Sequence, residues 1–242
     1  MQKTLSIIIP CFNEEDGLLN LKERLYPVLD RIKKDHKIEL IFVDDGSKDK
    51  TNLLLHKYFK SKPGISVKIL KHEVNKNLGA AIRTGLSTVT SQVVAMMDSD
   101  CTYDPEGLIL LLDTFERTNA DIVTASPYHP KGGVENVPGY RLFLSKGISL
   151  IYIFLTFRRI YTFTSMFRVY KKEVLASTKF YSNNFIAVTE LMIYPLLKKA
   201  KVVEVPMVLH SRQFGASKMK VVNTIVSHLK FIFRVIRLKV GI

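Results

Sequence analysis

An α/β fold, built on a mostly parallel, doubly wound sheet flanked by helices, is predicted by three features of this 242-residue sequence. Short apolar runs alternate with amphipathic stretches through the first 125 residues, the runs are closed by proline or acidic residues, and polar side chains gather just beyond them. Strand–helix alternation at this spacing gives a parallel sheet covered by helices. Such sheets take ligands at the carboxyl ends of their strands. Hydrophobic residues at 47% and charged residues at 24% suit one domain with a sizeable core. They exclude a disordered tail, a collagen-like fibre and a disulfide-stapled miniprotein.

The elements follow in order. Leu5–Pro10 is a continuous apolar run, as for a strand buried on both faces. Asn13 is expected to cap a helix carrying Leu18, Leu21, Leu25, Leu29 and Ile32 on one face, with Pro27 kinking its middle. Ile38–Val43 is the second strand, ending in Asp44-Asp45-Gly46-Ser47, and a helix follows over about 49–59. Val67–Leu70 is a strand, Gly79–Val89 a helix and Val93–Met97 a strand that stops at Asp98-Ser99-Asp100. Pro105–Glu116 is helical with Pro105 in its first turn, and Ile122–Ala125 is a fifth strand.

Beyond residue 126 the texture changes. Gly132, Gly133, Pro138 and Gly139 mark a loop, and twelve of the chain's 24 Phe and Tyr residues fall between Tyr140 and Phe185, interleaved with arginine and lysine. From about Lys220 to Lys239 the pattern is helical. Val222, Ile225, Leu229, Ile232, Ile236 and Val240 form one stripe, Lys230, Arg234 and Arg237 another face, and Phe231 and Val235 fall between them. The expected organisation is a main domain over 1–218, with halves at about 1–125 and 126–218, and an amphipathic helix over 219–242.

Charge divides the chain in the same place. Residues 1–130 carry 17 Lys/Arg against 18 Asp/Glu, whereas residues 131–242 carry 19 against 4. A cationic half of net +15 suggests an anionic partner. A nucleic acid would satisfy it but would leave Asp44, Asp45, Asp98 and Asp100 without purpose, so no nucleic-acid partner is expected. Cys11 and Cys101 are too few for a disulfide framework and suit free thiols in a reducing cytosol. The opening apolar run is too short for a signal peptide. The longest nearly uncharged apolar stretch, 147–157, is 11 residues, where a spanning helix needs roughly 20. The 140–160 segment and the C-terminal helix instead suit the headgroup layer of an anionic membrane.

Three strand ends then carry chemistry: Phe12-Asn13-Glu14, Asp44-Asp45 and Asp98-Ser99-Asp100. Clustered carboxylates repel one another unless a cation or a donor-rich ligand sits among them. Two carboxylates one residue apart can hold a hard divalent ion that keeps waters and takes further ligands from substrate phosphates.

The sequence here resembles the family 2 glycosyltransferases of the GT-A (Rossmann-like) fold. The resemblance is carried by Ile7-Ile8-Ile9-Pro10-Cys11-Phe12-Asn13-Glu14-Glu15, Val43-Asp44-Asp45-Gly46-Ser47 with Asp49 and Thr51, Asn77-Leu78-Gly79-Ala80-Ala81, and Asp98-Ser99-Asp100. In the second half, Thr164-Ser165-Met166-Phe167-Arg168-Val169-Tyr170, Glu204-Val205-Pro206 and Arg212-Gln213-Phe214-Gly215-Ala216-Ser217-Lys218 are similar to the branch of dolichol-phosphate mannose synthases and polyprenyl-phosphate glycosyltransferases.

That resemblance implies an inverting transfer of a sugar from a nucleotide-diphosphate sugar to a polyprenyl phosphate, by an enzyme held peripherally at the cytosolic face of a membrane. Pro10, Phe12 and Glu14 would line the nucleotide pocket, Asp44 or Asp45 would accept from the base, and Gly79 would let backbone approach the nucleotide. Asp98 and Asp100 would bind Mg²⁺ or Mn²⁺, with Thr102 standing where the family often has a Gln ligand. Arg212, Ser217 and Lys218 would close over the phosphates, and Arg141 would meet the acceptor phosphate. Pro127 replaces a usual arginine, for which Lys131 is the substitute. Members of this branch often add membrane helices or recruit a small membrane-protein subunit. An acceptor phosphate needs no general base. In the alternative, a saccharide or lipid hydroxyl acceptor, Glu190 would have to take the proton.

Overall fold

A computed structural model describes residues 3–215 and 221–240. Its frame is a seven-stranded sheet. The elements are β1 (Lys3–Cys11), α1 (Leu18–Ile32), β2 (His36–Asp44), α2 (Thr51–Tyr58), β3 (Ile65–Lys71), α3 (Leu78–Leu86), β4 (Val93–Met96), α4 (Gly107–Thr118) and β5 (Ile122–Ser126). The second half adds β6 (Gly133–Glu135), α5 (Gly139–Thr156), β7 (Arg168–Lys171), α6 (Lys172–Ala176), α7 (Ile186–Leu197), β8 (Val202–Pro206), β9 (Val208–His210) and α8 (Val221–Val240). The sheet order is β3-β2-β1-β4-β7-β5-β8, and β6 pairs with β9 beside it.

Every pairing in the large sheet is parallel except those of β7, which runs antiparallel to both β4 and β5. The sequence reading assigned no strand to 168–171, so the sheet is mostly rather than wholly parallel because this returning strand separates β4 from β5. Leu5, Ile7 and Ile9 face one core layer with Leu18, Leu21, Leu25 and Leu29 of α1, while Ile8 faces the other with Ala81 and Ile82 of α3. This alternation between two covered faces explains why β1 from Leu5 onward reads as an almost wholly apolar run, broken only by Ser6.

One local expectation is corrected. Asn13 caps no helix, since α1 begins at Leu18 after Gly17. Asn13 instead takes a left-handed conformation, φ 51°, and staples two loops: its N–H donates to Ser47 Oγ at 2.9 Å and its Oδ1 accepts from Lys48 N–H at 2.8 Å. The helix α1 continues through Pro27 as one element, and Val28, Leu29 and Ile32 beyond it are all buried.

The C-terminal helix packs through an unexpected ridge. Phe231 and Val235 are 2% and 0% exposed, while Leu229 of the predicted stripe is 58% exposed. Tyr152 and Tyr194 meet the Phe231 ring, which seats α8 on α5 and α7. Much of the predicted stripe is therefore left exposed, as are Phe143 and Phe154 of α5 at 78% and 70%. No helix among the described residues is long and apolar enough to cross a membrane.

Candidate functional site

The carboxyl ends of β1, β2 and β4 open into a cleft of about 970 Å³. Pro10, Phe12, Glu14, Asp45, Asp98 and Asp100 line one end. The loops that carry them are tied together before any ligand arrives. Glu14 N–H donates to Thr51 Oγ1 at 2.7 Å, Glu15 N–H to Asp49 Oδ2 at 3.2 Å, and Lys50 N–H to Glu15 Oε2 at 2.9 Å. Gly46, at φ +72°, closes the β2 turn where a Cβ would lie 2.4 Å from the Val74 carbonyl carbon. Ser47, Asp49 and Thr51, read in the sequence as part of a motif, thus hold the walls of the cleft.

Of the two adjacent aspartates, Asp45 is the one on the cleft. Its Oδ1 accepts from His72 Nδ1 at 2.6 Å and Lys76 N–H at 2.9 Å, and its Oδ2 from Asn75 Nδ2 at 3.0 Å. Asp44 lies beneath it, fully buried, with Oδ1 accepting from Ser47 N–H at 3.0 Å. His72 and Asn75 were missed by the sequence reading. Both stand just past the carboxyl end of β3, the edge from which the other site residues were read.

Across the cleft, Arg212 spans two carboxylates. Its Nη2 is 2.6 Å from Glu14 Oε1 and its Nε 3.0 Å from Asp100 Oδ2. All three side chains are largely buried, at 17%, 9% and 16% exposure respectively. Among the described residues Asp98 forms no such ion pair. Burial, reinforced by the negative charges of Asp100 and Glu14, pushes its carboxyl up to about 7. Three carboxylates facing one guanidinium leave the pocket short of positive charge, which suits a divalent ion. No group of three His, Cys, Asp or Glu side chains among the described residues could hold a metal alone. An ion on Asp98 and Asp100 would therefore complete its shell from phosphate and water. Thr102 lines the cleft, and its N–H donates to Asp100 Oδ1 at 3.1 Å.

The other end of the cleft is apolar. Phe143, Leu144, Ile148 and Ile151 of α5 face Ile225 and Leu229 of α8, with His228 between. The His228 ring lies 2.8 Å from the Tyr152 hydroxyl, and burial lowers its proton affinity to a pKa of about 4.

Several expected residues stand elsewhere. Glu190 is fully buried and does not line the cleft. Its Oε2 accepts from the Tyr181 and Ser182 N–H groups at 2.9 and 3.0 Å, and its Oε1 from Ser182 Oγ at 2.8 Å and Arg234 Nη1 at 3.1 Å. As a proton acceptor for an incoming hydroxyl it is misplaced; it clamps a loop. Gly79 also lies off the cleft wall, and the reason for glycine is different from the one expected. A Cβ there would sit 2.1 Å from Ser182 O, in the same loop. Lys131 is exposed and outside the cleft lining. Arg141 stands in the first turn of α5, with its side chain outside the described structure. Ser217 and Lys218 lie outside the described residues.

Comparison with known proteins agrees with this architecture. The chain is 31% identical to a dolichol-phosphate mannosyltransferase of Pyrococcus furiosus over 96% of its own length and 64% of that protein's. It is 31% identical to a polyprenol monophosphomannose synthase of Mycolicibacterium smegmatis over 90% of this chain and 81% of the relative. It is 26% identical to a dodecaprenyl-phosphate galacturonate synthase of Rhizobium johnstonii over 91% and 63%. It thus spans just under two thirds of the length of the first and third. The fold matches glucosyl-3-phosphoglycerate synthase of Mycobacterium tuberculosis, solved with Mn²⁺, uridine-diphosphate and glucosyl-3-phosphoglycerate. The TM-score is 0.69 at 18% identity, covering 99% of this chain and 81% of that one. The family model for glycosyl transferase family 2 matches residues 6–178, and the chain belongs to that family.

Proposed function

We propose that the protein transfers a sugar from a nucleotide-diphosphate sugar to a polyprenyl phosphate, working peripherally at the cytosolic face of a membrane. The observation that carries this reading is one continuous cleft joining the acidic strand ends to an apolar passage between α5 and α8, helices that also expose Phe143, Phe154 and Leu229. A diphosphate and a lipid tail need those two environments in contact. The names of the three relatives, all prenyl-phosphate glycosyltransferases, support the same reading.

In this scheme an acceptor phosphate oxygen forms a bond to the anomeric carbon as the bond from that carbon to the donor diphosphate breaks. The bonding electron pair leaves on the diphosphate, and no proton has to move. The sugar inverts in one displacement. Asp98 and Asp100 would hold Mg²⁺ or Mn²⁺, which supplies charge neutralisation to the leaving diphosphate. Arg212 stands across the cleft to meet the same charge, with Ser217 and Lys218 following it in sequence, and Arg141 would meet the acceptor phosphate. Pro10, Phe12, Glu14 and Asp45 form the nucleotide side. The displacement of Glu190 from the cleft removes the base that a hydroxyl acceptor would need.

Thermal-shift screening of nucleotide sugars with Mn²⁺, followed by thin-layer assay of the best donor with a polyprenyl phosphate, tests the reading. Stabilisation by one donor and formation of a glycosyl lipid are expected. Failure of every nucleotide to stabilise the protein would overturn it.

A further inference from the structure

The geometry points to His228 as a residue that binds the acceptor phosphate, through an imidazole N–H that Tyr152 holds toward the cleft. This rests on the polyprenyl-phosphate reading above and adds to it which side chain on the lipid side meets the phosphate.

The state of the ring follows from its one partner. His228 Nδ1 lies 2.8 Å from the Tyr152 hydroxyl. Tyr152 is fully buried, and among the described residues its hydroxyl has no other partner. Were the proton on Nδ1, the phenol O–H would face the core with nothing to receive it, an unfavourable burial. The O–H therefore donates to Nδ1. Burial keeps the ring neutral, with its pKa lowered to about 4, so its single proton sits on Nε2.

That N–H is turned away from the core. The two ring nitrogens stand on opposite edges, and the Nδ1 edge faces the buried phenol. Among the described residues none receives the Nε2 proton, and the atom is not sealed in the interior. His228 is half-buried and lines the cleft, so the donor is open to what the cleft holds.

Its level in the passage suits a phosphate rather than a tail. Ile148, Ile151, Ile225 and Leu229 are apolar walls, and a prenyl chain carries no hydrogen-bond acceptor. A polar ring beside such a chain only loses hydration. Helices α5 and α8 run in the same sense, since Tyr152 meets His228 and Leu155 O accepts from Lys239 Nζ further along both. Helical side chains lean toward the N-terminus, so the Tyr152 hydroxyl and the His228 ring both reach back toward Ser145 and Thr164. The hydroxyls of that pair, 3.0 Å apart, also line the cleft. His228 thus stands where the apolar passage gives way to hydroxyls, and the phosphate is the one polar group the acceptor can place there.

The test is titration of the full chain with farnesyl phosphate and with farnesol, the same tail without the phosphate. Native protein, His228→Phe and His228→Gln are compared. His228→Phe should weaken farnesyl phosphate about tenfold or more and change farnesol less than about threefold. His228→Gln should regain most of the loss, because its amide can accept from Tyr152 and donate to the cleft. In turnover, His228→Phe should raise the acceptor KM while kcat and the donor KM stay within about threefold. Equal weakening of both lipids, or no weakening of farnesyl phosphate, overturns the inference, while glycosyl lipid formation by the native protein leaves the acceptor reading standing. No glycosyl lipid from the native protein with any donor sinks that reading, and this inference with it. Should His228→Phe fail to fold, the native ring decides. Its Nε2–H resonance must shift with farnesyl phosphate and not with farnesol, and an unmoved resonance overturns the contact.

Discussion

Replacing Glu190 with glutamine separates a proton acceptor from a clamp. Glu190 is fully buried and receives four hydrogen bonds: two from the Tyr181 and Ser182 backbone, one from the Ser182 hydroxyl and one from Arg234. Glutamine can keep its oxygen toward the two backbone donors. Its amide nitrogen must then face Ser182 Oγ, which can turn to accept, and Arg234, which cannot. The loss is one bond to a guanidinium and the charge reinforcement of the other three. Hydrogen bonds to charged groups contribute about 1.5–3 kcal/mol each, but the Arg234 side chain is 49% exposed and its share is about 1 kcal/mol at most. A total near 2–3 kcal/mol follows, which lowers Tm by about 4–10 °C in a domain of this size. Differential scanning fluorimetry and turnover at 20 °C, with a polyprenyl phosphate acceptor, read the two roles apart. The clamp predicts a lower Tm with turnover within about threefold of the native protein. An unchanged Tm with a hundredfold loss of turnover would return Glu190 to the chemistry and refute this assignment.

Further outcomes follow from neighbouring features. Gly79→Ala should destabilise by about 2–3 kcal/mol, because the new Cβ meets Ser182 O and the Ala187 Cβ at 2.1 and 2.8 Å; urea unfolding checks this, and nucleotide affinity should change less than about threefold since Gly79 is off the cleft. His228 is neutral in the fold, with its pKa lowered to about 4 by burial, whereas in the unfolded chain it protonates near 6.5. Its contribution is therefore complete above pH 6.5 and is lost as pH falls toward 4, by up to about 3 kcal/mol; urea midpoints from pH 7.5 to 4.5 should drop, and less so in His228→Gln. Phe143→Ser combined with Phe154→Ser removes exposed rings and should weaken sedimentation with anionic vesicles at least about tenfold, at about 1.5–3 kcal/mol per ring withdrawn from lipid, with Tm unchanged.

The parallel half of the fold was legible because burial on both faces leaves an unmistakable mark: β1, β2 and β4 read as largely apolar runs, interrupted only by the paired Ser6 and Glu39, and each ends at a polar group that reaches the cleft. Strand β7 was not legible, since Arg168 opens it and reads as a surface residue. It is buried only because Thr124 Oγ1, Tyr170 OH, Phe163 O and Val188 O all accept from its guanidinium, partners spread over 64 residues of chain that no local pattern announces. The packing ridge of α8 was hidden for a related reason. Its helix has apolar residues around most of its circumference, so periodicity alone favoured the wider stripe, while the Tyr152 and Tyr194 rings selected Phe231. Glu190 and Gly79 show the complementary error, in which a residue type suited to chemistry was serving the 181–183 loop instead.

The unequal charge of the two halves acquires a structural meaning at Arg212. The near-neutral first half contributes Glu14, Asp98 and Asp100, and burial, followed by the opposition of their negative charges, holds the Asp98 carboxyl high. The cationic half returns across the cleft from β9 and places one guanidinium between two of them, 112 residues beyond Asp100 and 198 beyond Glu14. Neither half makes a tolerable site alone: the first carries uncompensated carboxylates, the second an excess of cations with nothing to neutralise. Folding joins them into one seam whose remaining negative charge a divalent ion and whose remaining positive charge a pair of phosphates would balance. On the proposed function the basic excess would serve phosphate chemistry and a membrane-facing surface, with the acidic strand ends as its counterpart.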